Sequence, residues 1–448
     1  MPTIAFHRSH FRAGPNGRHL IMGNGTPFFW LADSADALVR RLDRAGIELY
    51  LRTRAAQRFT IIQTAVLGGV DALRQANAYG LLPCEDGDLT RPHEGYFAHL
   101  DHVVLRANAL GLAVALQPVG AGFAARGLAV DAVIAFTTFL ARRYRDQAVM
   151  WVVGSGDGVE DAEQRTLWTA MGSTLRAETR ARQMIAYLPA DVPTRGAPWC
   201  QAQAWLDLAL HRSGLSPEPW ASITTGYATE PARPLLDGDP GREDQLAPGG
   251  ECDGRLSAHQ ERMTAYWSVF AGACGHTYAN HSVCCFHDDT TIGDQARTRW
   301  QDALHDPAAE QMHYLRQLLE ARPYQSRVPD QSLLPQAPTD PARHQRATRG
   351  DDDDDFSNNR GGDRGSYAFI YTPVQQPVTV DLTRLTGSLV EASWFDPRTG
   401  RSIWLGQFPV RGLRTFTPPG ADDWVLVLDD SSRNFQPVGH AADRSMSF

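Results

Sequence analysis

Phe28-Phe29-Trp30-Leu31-Ala32-Asp33 is a short, continuously apolar run that ends on a carboxylate. An unbroken run of this length fits a strand covered on both faces, as in a parallel sheet, whereas a half-buried strand alternates apolar and polar residues. Seven more runs of the same kind follow, at residues 59–63, 112–117, 149–154, 184–188, 206–210, 234–239 and 276–280. Helical periods lie between them. Phe97, Leu100, Val103, Val104 and Leu110 form one stripe, Val133, Phe136, Leu140 and Tyr144 a second, and Leu167, Trp168, Met171 and Leu175 a third. The fifth and sixth connections carry weaker helical patterns. Strand and helix alternating eight times is the pattern of a closed parallel barrel, so residues 1–325 are expected to form a (β/α)8 TIM barrel.

The pattern breaks after about residue 325. Pro329, Pro335, Pro338 and Pro341, then five aspartates at 351–355 and a Gly/Asn/Arg-rich run, read as a linker and polar loop over residues 326–366. The aspartate run lacks the spaced ligands and turn glycine of a calcium loop and reads as solvated. Short alternating segments at 367–371, 378–382, 390–395, 403–408, 415–417 and 424–428 then predict a small antiparallel β-sandwich over residues 367–432. Residues 433–448 read as a polar tail.

Composition narrows the function. Of 448 residues, 42% are hydrophobic and 21% charged, as in ordinary globular enzymes. A net charge of −8 argues against nucleic-acid binding, which needs a clustered basic surface. No run approaches the roughly 18–20 apolar residues that span a bilayer, so no membrane partner is expected. The start lacks a basic segment followed by an apolar one, which gives the expectation of a cytoplasmic protein or of one whose leader has been removed. The sequence contains no lysine, so all 43 basic residues are arginines. Schiff-base, pyridoxal-phosphate, P-loop and kinase chemistry are thereby excluded. The six cysteines form no CxxC pair and read as thiols, and the fifteen histidines form no HExxH or HxH pair, so neither metal nor other cofactor is expected.

Catalytic groups of such a barrel stand at the C-terminal ends of the strands. Strand one ends at Asp33 with Asp36 beyond it, strand two at Gln63, and strand six is followed by Arg212. Strand four is followed by Gly154-Ser155-Gly156-Asp157, strand seven by Asp237-Gly238-Asp239-Pro240 and then Glu243, and strand eight runs into Tyr278, Asn280 and His281. Carboxylates after strands four and seven, Asp157 and Asp239, suit glycoside hydrolysis: one serves as acid and base, the other attacks or stabilises the oxocarbenium carbon. Asp and Gly after a strand are also ordinary turn formers.

Several segments carry a family resemblance. They are Pro27-Phe28-Phe29-Trp30-Leu31-Ala32-Asp33-Ser34, Glu94-Gly95-Tyr96-Phe97 with Asp101, Arg142-Arg143-Tyr144-Arg145-Asp146, Trp205-Leu206-Asp207, Tyr266-Trp267-Ser268 and Gly275-His276-Thr277-Tyr278. Further along stand Trp394-Phe395-Asp396-Pro397-Arg398-Thr399-Gly400 and Asp423-Trp424-Val425-Leu426. From about Arg18 to Asp430 the sequence resembles the DUF4038 family of apiosidase-like glycoside hydrolases, joined to the β-domain labelled collagen-binding in that family. The resemblance implies an acid/base aspartate in a Gly-Gly-Asp after strand four, where Gly156 aligns and Asp157 follows one residue late. It implies a nucleophilic glutamate after strand seven, where Asp239-Pro240 is one methylene shorter. A Gln-Ser-Gly-His after strand six reads Arg212-Ser213-Gly214-Leu215. A tryptophan of the strand-one loop is replaced by Asp36, and another after strand eight by Cys284 or Cys285.

The leading expectation is therefore a divergent glycoside hydrolase with Asp157 and Asp239 as its carboxylate pair. Asp33, Asp36, Gln63, Arg212, Glu243, Tyr278, Asn280 and His281 would line the sugar site, with Arg212 suited to an anionic sugar. The alternative is a non-catalytic carbohydrate-binding or assembly protein on the same barrel. A third reading makes Cys284 or Cys285, near His281, a thiol nucleophile. A carbohydrate ligand is the expected partner, and homo-oligomerisation is compatible with the sequence.

Overall fold

The computed structural model describes residues 10–68, 71–120, 128–154, 161–180, 182–189, 198–290, 296–351 and 364–439. They group into two compact units, 1–261 with 273–310, and 262–272 with 311–448.

The first unit is a closed barrel of eight parallel strands: Trp30–Ser34, Ile61–Leu67, Ala113–Val119, Val149–Val153, Ile185–Tyr187, Leu208–His211, Leu235–Asp237 and Gly275–Tyr278. All eight apolar runs are strands, with ends shifted by a few residues. Strand eight pairs with strand one, Gly275 opposite Trp30 through Tyr278 opposite Asp33, and this pairing closes the ring. Glycine is required at the seam, because a Cβ on Gly275 would stand 2.2 Å from the Trp30 carbonyl oxygen. Trp30 and Trp151 are fully buried in the wall. Each such large apolar side chain contributes about 1.5–3 kcal/mol over its exposed state.

The helices follow the predicted stripes. Val130–Tyr144 buries Val133, Phe136, Leu140 and Tyr144, and Ala162–Glu178 buries Leu167, Trp168, Met171 and Leu175. The latter starts on an Asp161 side chain that accepts from Gln164 N at 2.9 Å, satisfying one of the free amides of the first turn. The connections after strands five and six contain the shorter helices Pro198–Gln201 and Pro219–Tyr227. No helix among the described residues is long and apolar enough to cross a membrane.

The second unit carries a six-stranded sheet and a two-stranded sheet around one core that includes Ile370, Val380, Trp394, Phe416 and Leu426. All six predicted segments are strands. Two more, Arg327–Pro329 and Arg346–Gly350, lie in the stretch read as a linker and pair antiparallel on the edge of the larger sheet. Phe435, in the stretch read as tail, stacks on Arg322 at 4.7 Å, and Arg322 also holds Asp429 through two hydrogen bonds of 2.8 and 2.6 Å. Of the aspartate run, 352–355 lie outside the described residues.

Candidate active site

Successive side chains of a strand point to opposite faces, so the strand-end residues divide between the barrel lumen and the helical ring. On strand one Asp33 faces the helices. Its Oδ2 accepts from Tyr50 OH at 2.6 Å and Arg54 Nε at 2.7 Å, and Asp33 and Arg54 are both fully buried. Ser34, one residue on, has the opposite parity and donates to Asp36 Oδ1 at 3.1 Å. Gln63 of strand two reaches Gly238 O of the strand-seven connection at 3.1 Å, while its buried Oε1 has no hydrogen-bond partner.

The same parity places Asp237 of strand seven outward. Its oxygens accept from Ser213 N at 3.2 Å and Ser213 Oγ at 2.5 Å. Tyr278 OH of strand eight donates to Glu243 Oε2 at 2.5 Å, and Glu243 Oε1 accepts from Ala308 N at 3.1 Å. Asn280 accepts from Ser282 N and Val283 N at the start of the short helix His281–Cys284, and donates to Asp306 Oδ2 at 2.7 Å. Four residues expected to line the sugar site (Asp33, Glu243, Tyr278 and Asn280) are thus buried and committed to internal partners. All four sit inside the protein and not on its open rim.

Of the remaining candidates, Asp36, Arg212 and Asp239 form ion pairs at the strand ends. Arg212 Nε lies 3.1 Å from Asp239 Oδ2, and Arg242 Nη2 lies 3.7 Å from Asp36 Oδ2. These four side chains are 24–30% exposed, so the cluster is open to solvent, unlike the sealed Asp33–Arg54 pair. Cys284 Sγ donates to Asp36 Oδ2 at 3.2 Å and lies 3.9 Å from Ser34 Oγ. His281 stacks on His287 with ring centroids 5.6 Å apart. Asp157 lies outside the described residues. The strand that leads towards it ends at Val153, and the next residue, Gly154, has a φ of +100° and would bring a Cβ within 2.1 Å of Leu188 O, so it has no room for a side chain. Gln117 donates to the Gly154 carbonyl.

Backbone bonds lace these connections together. Gly214 N donates to Asp239 O at 3.1 Å, Glu243 N to Ala279 O at 2.9 Å, and Ala37 N to Cys284 O at 3.2 Å. The strand-six, strand-seven, strand-eight and strand-one ends therefore form one connected rim.

Charge is distributed unevenly behind that rim. Burial pushes Asp237 up to about 7, against hydrogen bonds from Ser213, and Glu243 up to about 7, against the Tyr278 bond. Glu261, from the helix Ala258–Phe270, lies near both; burial and then their charges raise it well above the carboxylate range. Burial also raises Asp33, although Arg54 opposes it. Arg242 is held strongly cationic by Cys284, Asp36 and Asp239. Sequence reasoning missed Arg242; its only signal was a cationic residue between two acidic candidates. Among the described residues, no group of three or more His, Cys, Asp or Glu side chains converges as a metal site does. A separate cavity of about 180 Å³, lined by Arg145, Asp146, Glu178, Thr179, Arg180 and Arg182, lies at the ends of helices Val130–Tyr144 and Ala162–Glu178, away from the strand ends that carry the candidates.

Residues 328–429 match the family described as "Putative collagen-binding domain of a collagenase". No curated protein matches the chain. Among solved structures, one titled "Glycoside hydrolase" is 26% identical, with 97% of this chain and 99% of that one covered and a TM-score of 0.85. A structure titled as a glycoside hydrolase family 5 from Bacteroides vulgatus ATCC 8482 is also 26% identical, covering 97% of this chain and 96% of its own, with a TM-score of 0.84. Residues 14–326 match the family described as "Apiosidase-like, catalytic domain". With more than half its length matched, a closed parallel barrel and glycoside-hydrolase structural relatives, the chain belongs to the apiosidase-like family.

Proposed function

We propose that the barrel cleaves a glycosidic bond, with Asp239 and Asp157 as its carboxylate pair. The observation that carries this reading is the position of Asp239. It stands at the rim after strand seven, partly exposed, while the other carboxylate of that strand, Asp237, is buried and turned outward. A guanidinium at 3.1 Å suits a carboxylate that works as an anion, the nucleophile or base, and leaves proton donation to Asp157. Arg212 and Arg242 put two cations at the mouth, which favours a sugar bearing a carboxylate, such as a uronide. Gln63, with a free buried acceptor, and His281 would hold hydroxyl groups. A hydrolytic pair needs its carboxyls about 5–5.5 Å apart for retention or about 6.5–9.5 Å for inversion. Aspartate at 239 shortens one arm by a methylene and favours the wider arrangement.

The ion pairs also favour a second reading. In this structure Arg212 closes on Asp239 and Arg242 approaches Asp36, as expected of a barrel that binds carbohydrate without cutting it. Hydrolysis of aryl glycosides, furanosides and uronides by wild type, Asp157→Asn and Asp239→Asn separates the two. Turnover by wild type that either change abolishes supports the hydrolase. Absence of turnover from folded wild type, with uronide binding retained, selects the binding protein. Turnover that survives both changes refutes the assigned pair.

A further inference from the structure

Strands six and seven stop at His211 and Asp237, yet the two connections run on side by side as far as Gly214 and Pro240. Backbone bonds hold both ends of that extension: Gly238 N donates to His211 O at 2.8 Å, and Gly214 N to Asp239 O at 3.1 Å. Between them the Ser213 amide takes a side chain in place of a carbonyl. Ser213 N donates to Asp237 Oδ1 at 3.2 Å, and Ser213 Oγ to Asp237 Oδ2 at 2.5 Å. Two donors from one residue fix the plane of the carboxyl group as well as its distance, as any two-point grip does. Ser213 is 2% exposed and Asp237 fully buried, so neither can exchange its partner for water, and an unmade bond would leave a buried polar group unpaired. Gly238 is gripped at both polar atoms, its N–H by His211 O and its carbonyl by Gln63 Nε2, which reaches it from strand two at 3.1 Å. A Cβ on Gly238 would stand 3.0 Å from the Leu210 side chain, so the connection is also tightly packed.

This buried contact bears on the rim through its neighbours in sequence. Arg212 precedes Ser213, and Asp239 follows Gly238. Their side chains, 30% and 24% exposed, meet at 3.1 Å on the open side, while Ser213 and Asp237 meet on the buried one. Adjacent residues of an extended chain point to opposite faces, so a Ser213 held inward leaves Arg212 turned to the rim. We propose that Ser213 and Asp237 are positioning residues: their buried contact sets Arg212 against Asp239 and so pre-forms the charged end of the sugar site. They act through that pair and stand behind the rim themselves. An ion pair between partly exposed side chains ordinarily contributes little, because holding both in one geometry costs rotamer freedom and water screens the charges. Fixing the two backbones beforehand removes part of that cost. A carboxylate and a guanidinium already aligned need no rearrangement when a substrate arrives. Only the step from alignment to turnover rests on the hydrolase reading of Asp239 given above.

The test is chemical labelling of the full chain in its folded state. Phenylglyoxal modifies accessible arginines, and a carbodiimide with glycine ethyl ester modifies accessible carboxylates; mass spectrometry of the digested chain then gives the rates at Arg212 and Asp239. Ser213→Ala removes the hydroxyl from the contact and should speed both labels about tenfold. Asp237→Leu removes the acceptor with little change in volume and should act in the same direction. Ser213→Ala added to Asp237→Leu should then accelerate labelling by no more than about twofold, because the two residues act as one contact. Arg176 and Asp207, an ion pair 25% and 29% exposed on another part of the barrel, are the reference and should label at wild-type rates throughout. Unchanged labelling of Arg212 and Asp239 in Ser213→Ala overturns the proposal. So does an equal rise at Arg176 and Asp207, which would mean that the contact holds the fold and not the pair. Where wild type hydrolyses a neutral aryl glycoside, Ser213→Ala should lower kcat on the order of tenfold to a hundredfold while KM changes less than about threefold. Unchanged kcat despite faster labelling would show that the alignment does not serve turnover. If wild type hydrolyses nothing, the hydrolase reading fails and the labelling rates still decide the positioning role.

Discussion

Replacing Asp237 by asparagine should make the barrel more stable at alkaline pH and leave it nearly unchanged at pH 4. Asp237 is fully buried, accepts from Ser213 twice and has Glu261 nearby. Burial raises it from 3.8 to about 7. The sign follows from proton linkage. The folded state holds the proton more tightly than the unfolded chain, so the stabilising contribution is full below about pH 4. It is lost as the pH rises through about 7. The gap corresponds to about 4 kcal/mol at most, less whatever the Ser213 donors return to the ionised form. Asparagine keeps the shape, can accept from Ser213 N, and carries no charge. A barrel of about 300 residues melts with an entropy near 0.6 kcal/mol per degree, so this range becomes about 3–7 °C in Tm. Thermal melts of both proteins from pH 4 to pH 9 read it: the two curves should coincide near pH 4, separate between about pH 4 and pH 7 and keep a constant gap above that, with Asp237→Asn the higher. Parallel curves across the range would show that Asp237 is ionised and compensated in the fold, and the buried-carboxyl argument would fall.

Arg54→Met should destabilise the barrel by about 3–5 kcal/mol, because it strands Asp33 without its cation inside the wall; a denaturant midpoint within 1 kcal/mol of wild type contradicts that. Gly154→Ala forces a Cβ to within 2.1 Å of Leu188 O at a positive φ, so it should cost about 1–3 kcal/mol in equilibrium unfolding. By shifting the connection that leads to Asp157, it should also cut hydrolysis on the order of a hundredfold. Arg212→Ala should raise KM for an aryl uronide about tenfold or more while changing KM for the matching neutral glycoside less than threefold, a loss of about 1.4 kcal/mol specific to the anion. Equal changes for both substrates would refute the anionic-sugar reading.

The barrel was legible because a strand buried on both faces has to be apolar throughout, and eight such runs leave few other folds. What the runs hid was parity. Asp33 and Ser34 are neighbours, yet one is locked to Arg54 among the helices and the other meets Asp36 at the rim. Parity would not have separated Asp237 from Asp239, two residues apart; what separates them is the end of strand seven at Asp237. Glu243 and Asn280 could not be placed by parity either, because both lie beyond the strand ends and owe their burial to Ala308 and Asp306, distant in sequence. The strands Arg327–Pro329 and Arg346–Gly350 were invisible for another reason. Apart from Val328 and Ala347 their residues are arginine, proline, threonine and glycine, and they are held by pairing and by charges such as Arg349 Nε on Asp330 at 2.7 Å, not by an apolar pattern.

The altered rim bears on whether the pocket has been rebuilt or has decayed. By resemblance, the family has tryptophans where this chain has Asp36 and one of Cys284 or Cys285. Those two positions meet in space, and the new residues are bonded to each other, with Ser34 and Arg242 completing the cluster. Losing two aromatic side chains one at a time would first place a partly buried carboxylate or thiol beside an indole that offers it little, at a cost of several kcal/mol for an uncompensated charge. Here each new charge has a partner of opposite sign at the rim, and Arg212 and Asp239 repeat the pattern on the adjoining connections. Drift has no reason to produce such matching, whereas selection for a polar ligand at the strand ends does. The matched charges accord with the proposed pocket for an anionic or strongly hydrogen-bonding sugar, and under that proposal Arg242 and Asp36 are the residues whose exchange should change what the barrel accepts.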